Sequence, residues 1–199
     1  METENTHNNV SPADAPPELI ITTNDMRYPL LASQSLPCNL PLSIEDQEVV
    51  QRMKELISSM GREAVGLAGV QIGLMRRVFV MKCINNRIIE CINPVILQTS
   101  VEKSNKPEGC LSIPKLYVNI KRAKRVRLGY YDILGSYHVE DFIGLDAKVI
   151  CHEMDHLNGR TIAFHAEREY DRKDNLAQEA KRVKKMKKEK RRRLAKLRK

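Results

Sequence analysis

The sequence predicts an α+β fold: mixed or antiparallel strands around a central helix that carries an HExxH pattern. An N-terminal helix precedes the strands and a basic helix closes the chain. Three observations predict this. Residues 44–60 repeat apolar side chains at helical spacing. Short β-rich runs then follow between residues 78 and 139, separated by turn residues. A second helical stretch, Leu145 to Asn158, lies between Gly144 and Gly159 and contains His152-Glu153-Met154-Asp155-His156. The chain has 199 residues, 42% hydrophobic and 30% charged. At about 150 residues per domain, that suits one core with appendages.

Residues 1–18 are polar, with little to bury, and are expected to be a disordered tail. Residues 19–170 form the expected main body and residues 171–199 the basic helix. Tyr28 to Pro41 holds three prolines and short apolar pieces, which suits an extended loop wrapped on the core. The first helix takes Ser43 as N-cap and Asp46 in its first turn, and Gly61 suits its end. Its buried stripe is Ile44, Val49, Met53, Leu56, Ile57 and Met60. The expected strands are Val78 to Lys82, Ile88 to Ile92, Pro94 to Leu97, Arg125 to Tyr131 and Tyr137 to Val139. Asn85-Asn86 supplies a hairpin turn, and Gly135 breaks the last pair.

Charge is unevenly placed. The net charge is +9, yet residues 171–199 hold 15 Lys/Arg against 4 Asp/Glu, and the rest of the chain is close to neutral. A helix rich in Lys, Arg, Glu, Ala and Leu suits either a solvated face or a polyanion contact, RNA before membrane. No aromatic follows Tyr170, so base stacking is not suggested. No apolar run approaches the roughly 20 residues of a bilayer span. The start lacks a basic, apolar secretory pattern, so an intracellular, cytoplasmic protein is expected, with neither membrane nor DNA as partner. Five cysteines without a CxxC argue against a disulfide framework.

The chemistry centres on the HExxH pattern. Histidines four apart share a helical face and can reach one metal ion, with Glu153 beside them as candidate general base. A hydrolytic site needs a third ligand. The HExxHxxGxxH pattern fails because Ile162 stands where a histidine is required, and His165 lies too far along. A downstream glutamate ligand stays open with Glu167 and Glu169, although both come too soon after the helix for the usual glutamate-zincin arrangement, where a second helix intervenes. The better candidate lies upstream, in Glu108-Gly109-Cys110-Leu111-Ser112.

That segment with Ile113-Pro114, the HExxH with Asp155, Leu157 and Gly159, and Gly66-Leu67-Ala68-Gly69-Val70-Gln71 together resemble the bacterial-type peptide deformylase family. The resemblance covers about Tyr28 to Phe164. It implies that Cys110, His152 and His156 hold the metal, ferrous iron natively, with Zn2+, Ni2+ or Co2+ accepted instead. It implies that Glu153 takes a proton from the attacking water and later delivers it to the leaving amine. The Gln71 side-chain amide and the Leu111 backbone N–H would face the developing oxyanion. Gly66 and Gly109 would let the peptide backbone approach closely, and Val65, Leu145 and Val149 would line an apolar pocket for methionine. The implied reaction removes formyl from the N-terminal methionine of nascent polypeptides and releases formate. Bacterial members carry a C-terminal helix that contacts the ribosome, which suits the basic tail.

The chain departs from the family pattern at Ala64 (usually Gly), Gly69 (usually Ala) and Cys151 (usually Gln). None removes a ligand, the base or an oxyanion donor. On a helix, Cys151 points about 100° away from His152. The competing expectations are an HExxH zinc endopeptidase and a catalytically inactive ribosome- or RNA-binding homologue.

Overall fold

The computed structural model describes residues 26–61 and 64–168, and beyond these only 179, 181 and 184. Its elements are α1 (Ile44–Ser59), β1 (Gly66–Ala68), β2 (Val78–Lys82), β3 (Ile88–Thr99), β4 (Lys103–Cys110), β5 (Ile113–Ala123), β6 (Arg125–Tyr131), β7 (Tyr137–Ile143) and α2 (Gly144–Leu157). Residues 162–168 form a further helical segment. Five strands make an antiparallel sheet in the order β1-β2-β3-β6-β7, and β4 pairs with β5 in a separate hairpin. The α+β expectation therefore holds, with every strand pair antiparallel.

The sheet is covered on both faces, which explains the unbroken apolar run of β2. Successive strand residues point to opposite sides. Val78 and Val80 pack with Val50, Met53 and Ile57 of α1, whereas Phe79 and Met81 pack with Ala147, Ile150, Met154 and Leu157 of α2. Helix α1 starts as its sequence suggests, with Ser43 Oγ accepting from the Asp46 N–H at 3.1 Å. Its expected stripe is partly corrected: Ile44 is exposed, and Val50 is buried in the core instead.

Three strand expectations change. The runs at Ile88 to Ile92 and Pro94 to Leu97 are one strand, with a register shift where Asn93 takes φ +49°. Asn93 has a structural task there: its side chain accepts from the Cys38 N–H (2.7 Å) and donates to the Cys38 carbonyl (2.9 Å). That bond pair fastens the Tyr28–Pro41 segment, which holds a short 3-10 turn at Tyr28–Ala32 before it extends. Strand β7 runs on to Ile143, past the expected Val139. The β4–β5 hairpin and β1 were not legible as strands. Lys103 to Glu108 has no apolar face to give a period-2 signal, and only Glu108 in that stretch is buried.

The second helix matches, and Gly159 beyond it is required sterically. At φ +68°, a Cβ there would lie 2.9 Å from the Ala32 carbonyl carbon and 3.0 Å from that of Ser33. No helix among the described residues is long and apolar enough to cross a membrane. The expected N-terminal tail lies outside the described residues. So does the basic helix, apart from residues 179, 181 and 184, which are helical.

Candidate active site

Helix α2 turns one face toward a cavity of about 470 Å³. Leu145, Val149, His152 and Glu153 fall at positions i, i+4, i+7 and i+8, so helical periodicity alone gathers them. The opposite contributions come from β1, the turn after it, and β4–β5. Val65, Gly66, Gln71, Gly109, Cys110 and Leu111 all border the same space. Every sequence-predicted site residue except His156 therefore lines one cavity. His156 lies buried behind it.

His156 joins the group through Cys110, whose Sγ lies 3.2 Å from His156 Nε2. One ligand atom from each of Cys110, His152 and His156 lies within 4.8 Å of the other two. The tight β4–β5 connection brings Cys110 into register opposite Ile113 and against the helix. Cys151 is not part of the group and packs against the core of the main sheet.

The residues fit a divalent metal. A thiol and two imidazoles suit borderline-soft cations such as iron or zinc. His152 Nδ1 lies 3.1 Å from Glu108 Oε2, which fixes the ring and leaves Nε2 for a metal. Burial, reinforced by repulsion from His152, pushes His156 down to about 3, so its ring is neutral and ligand-ready. Its Nδ1 is buried without a hydrogen-bond partner. Burial opposes charge on His152 too, but hydrogen bonds with Cys110 and Glu108 overcome it and push this imidazole up to about 10.

Behind Cys110, His152 and His156 runs a largely buried polar network that the sequence did not announce. Arg122 of β5 donates from Nε and Nη2 to Glu108 (2.9 and 3.0 Å) and from Nη1 to Asp155 (2.5 Å). His165 Nε2 lies 2.7 Å from Asp155 Oδ2. Burial would raise both carboxyls. The bonds from His152 and Arg122 hold Glu108 below the usual range, and His165 and Arg122 do the same for Asp155. Arg122 gave no signal because it sits in the basic run Lys121-Arg122-Ala123-Lys124-Arg125.

Glu153 is the exception to this pairing. Its Oε2 is buried without a partner, and burial pushes the carboxyl up to about 7. Gly66 explains the room around it. A Cβ at Gly66 would collide with Glu153 Oε1 and lie 2.8 Å from Val149 Cγ1. Gln71 is buried and aimed: its Oε1 accepts from the Ala68 N–H (2.8 Å), while Nε2 donates to Ser112 Oγ (2.9 Å) and lies 3.9 Å from Cys110 Sγ. Gly69 is also needed in this chain, since a Cβ would sit 2.9 Å from the Leu74 carbonyl oxygen and 3.0 Å from Val78 Cγ1.

A thiol, two imidazoles and an unpaired buried carboxylate on one cavity form the set that a metal-dependent hydrolase requires. Comparison with known proteins narrows that class. The family model described as polypeptide deformylase matches residues 20–172. The peptide deformylase of Thermotoga neapolitana is 39% identical over 123 residues, 61% of this chain and 74% of that protein. That of Treponema pallidum is 40% identical over 128 residues, 62% and 78% of the two chains. The crystal structure of the Thermotoga maritima peptide deformylase superposes with a TM-score of 0.67 at 33% identity, covering 75% of this chain and 96% of that one. The enzyme of Vibrio parahaemolyticus bacteriophage VP16T, solved with actinonin, gives 0.64 at 30% identity, covering 72% and 99%. The chain belongs to the peptide deformylase family, and its kin are metalloenzymes of the hydrolase class.

Proposed function

We propose that this chain hydrolyses the formamide at the N-terminal methionine of nascent polypeptides, releasing formate and a free amino terminus. The observation that carries this reading is the convergence of Cys110 from β4 with His152, Glu153 and His156 from α2 beside Gln71. Cys110, His152 and His156 hold the metal, ferrous iron in the cell, with Zn2+, Ni2+ or Co2+ able to replace it. When bound, the cation supplies positive charge that acidifies water and polarises the formyl oxygen.

The chain's own groups do the rest. Glu153 takes a proton as the water oxygen bonds to the formyl carbon, and returns it to the amine nitrogen as the C–N bond breaks. A carboxyl raised toward neutrality serves both transfers. Gln71 Nε2 and the Leu111 N–H donate to the oxyanion, and the bonds from Gln71 to Ala68 and Ser112 support its pre-set aim. Gly66 on edge strand β1 and Gly109 on β4 admit the peptide backbone, while Val65, Leu145 and Val149 receive the methionine side chain. Helix α2, packed on the sheet and touching β5, acts as the central element of the catalytic body.

We assign residues 19–170 to that body, residues 1–18 to an appended tail and residues 171–199 to a ribosome- or rRNA-binding helix, in a cytoplasmic enzyme. The relatives named above are deformylases, and the endopeptidase and inactive-homologue alternatives find no support among them. Anaerobic purification, metal analysis and a formate-release assay on a formyl-Met peptide test the reading. We expect about one metal per chain and formate release, with Cys110→Ala losing the metal. A metal-replete protein that releases no formate overturns it.

A further inference from the structure

Lys148 brings a charged end to the wall of the substrate cavity. It lies on α2 one turn before His152, next to Val149 and three residues after Leu145, and all four border that space. The side chain is half-buried, and Nζ donates to the Pro107 carbonyl oxygen of β4 at 2.6 Å. Pro107 borders the same cavity, so the ammonium bridges α2 and β4 at its edge. An ammonium has three N–H donors, and this bond uses one. We propose that Lys148 is a specificity-determining residue that offers an N–H donor to the end of the substrate's first side chain. The pocket then favours a side chain ending in a hydrogen-bond acceptor over an isosteric hydrocarbon. This inference rests on the deformylase reading.

The electrostatics agree with the geometry. Burial disfavours the Lys148 charge most, Glu108 favours it, and Arg122 and Lys106 oppose it. A donor partly withdrawn from water gains more from an acceptor than one fully hydrated. A hydrocarbon-lined pocket has the opposite preference, because a buried sulfoxide without a partner is costly. Norleucine and methionine are near-isosteric and offer no acceptor and a weak one, while methionine sulfoxide adds a strong acceptor oxygen together with bulk, so the wild-type-to-variant comparison isolates the Lys148 contribution.

The test uses tripeptides with these three residues at the first position, on the metal-loaded wild type and on Lys148→Met. Formylated peptides give kcat/KM, and unformylated ones give Kd by calorimetry. We expect the sulfoxide-to-norleucine ratio to fall at least about tenfold in Lys148→Met by both measures, the size of a lost charge-assisted hydrogen bond. An unchanged ratio overturns the proposal, as does a wild type that rejects the sulfoxide as strongly as the variant. If no formylated peptide is hydrolysed but the affinity ratio falls as expected, the deformylase reading fails and the Lys148 assignment stands.

Discussion

The unpaired Glu153 carboxyl is costly to bury in its charged form. Its folded value of about 7 stands above the ordinary carboxylate value of about 4. The protonated form is therefore favoured by folding, and the stability it contributes is present below about pH 4 and lost as pH rises through about 7. Glu153→Gln removes that cost. The metal-free variant should melt several degrees above the metal-free wild type at pH 8, with little gain at pH 4, by circular dichroism. The same variant keeps all three metal ligands, so metal analysis should find it loaded while formate release falls at least about a hundredfold. Gly66→Ala probes the carboxylate from the other side. The added methyl must displace Glu153 or Val149, so we expect kcat to fall about tenfold or more with metal content unchanged. Unimpaired kcat would show that Glu153 tolerates the shift.

At the scale of elements, Arg122 ties the β4–β5 hairpin to α2 through Asp155, beside the His152–Glu108 and Lys148–Pro107 bonds. This guanidinium is buried, and its charge is favoured by Glu108 on one side and Asp155 on the other. Removing it leaves the buried Glu108 and the partly buried Asp155 short of a partner, although His152 and His165 remain. We expect Arg122→Met to cost about 3 kcal/mol in urea unfolding. Both carboxyls are held below their ordinary values, so their stabilising effect is present above about pH 4 and fades as pH falls further. Loss of Arg122 weakens that depression, and the acid-unfolding midpoint should move to higher pH. An unmoved midpoint would mean that the histidines alone hold these carboxylates. The metal should also leave Arg122→Met faster in a chelator chase, because Glu108 orients His152. Strand β4 was invisible to periodicity because it buries one residue, and a charged one, whereas β5 does alternate, burying Val118, Ile120 and Arg122.

For the whole molecule, charge is unevenly placed. The tail from residue 171 carries +11 while the remainder is close to neutral. Truncation after Tyr170 should leave turnover of a short formyl peptide unchanged and reduce ribosome co-sedimentation. The full chain's binding should weaken steeply with salt, as counterion release requires. Equal co-sedimentation of both chains would end that role for the tail. Local patterns made the two helices, most of the main sheet and the His152-Glu153-His156 cluster legible, because periodicity, capping and motif spacing act over a few residues, whereas Cys110 was singled out by the family resemblance. Only the tertiary structure decided that Asn93 would fasten the N-terminal segment, that Arg122 would lie behind the ligands, and that Lys148 would reach the cavity. Those assignments depend on which residues meet across elements distant in sequence. A polar side chain looks the same in a sequence whether water or a buried partner takes its hydrogen bonds.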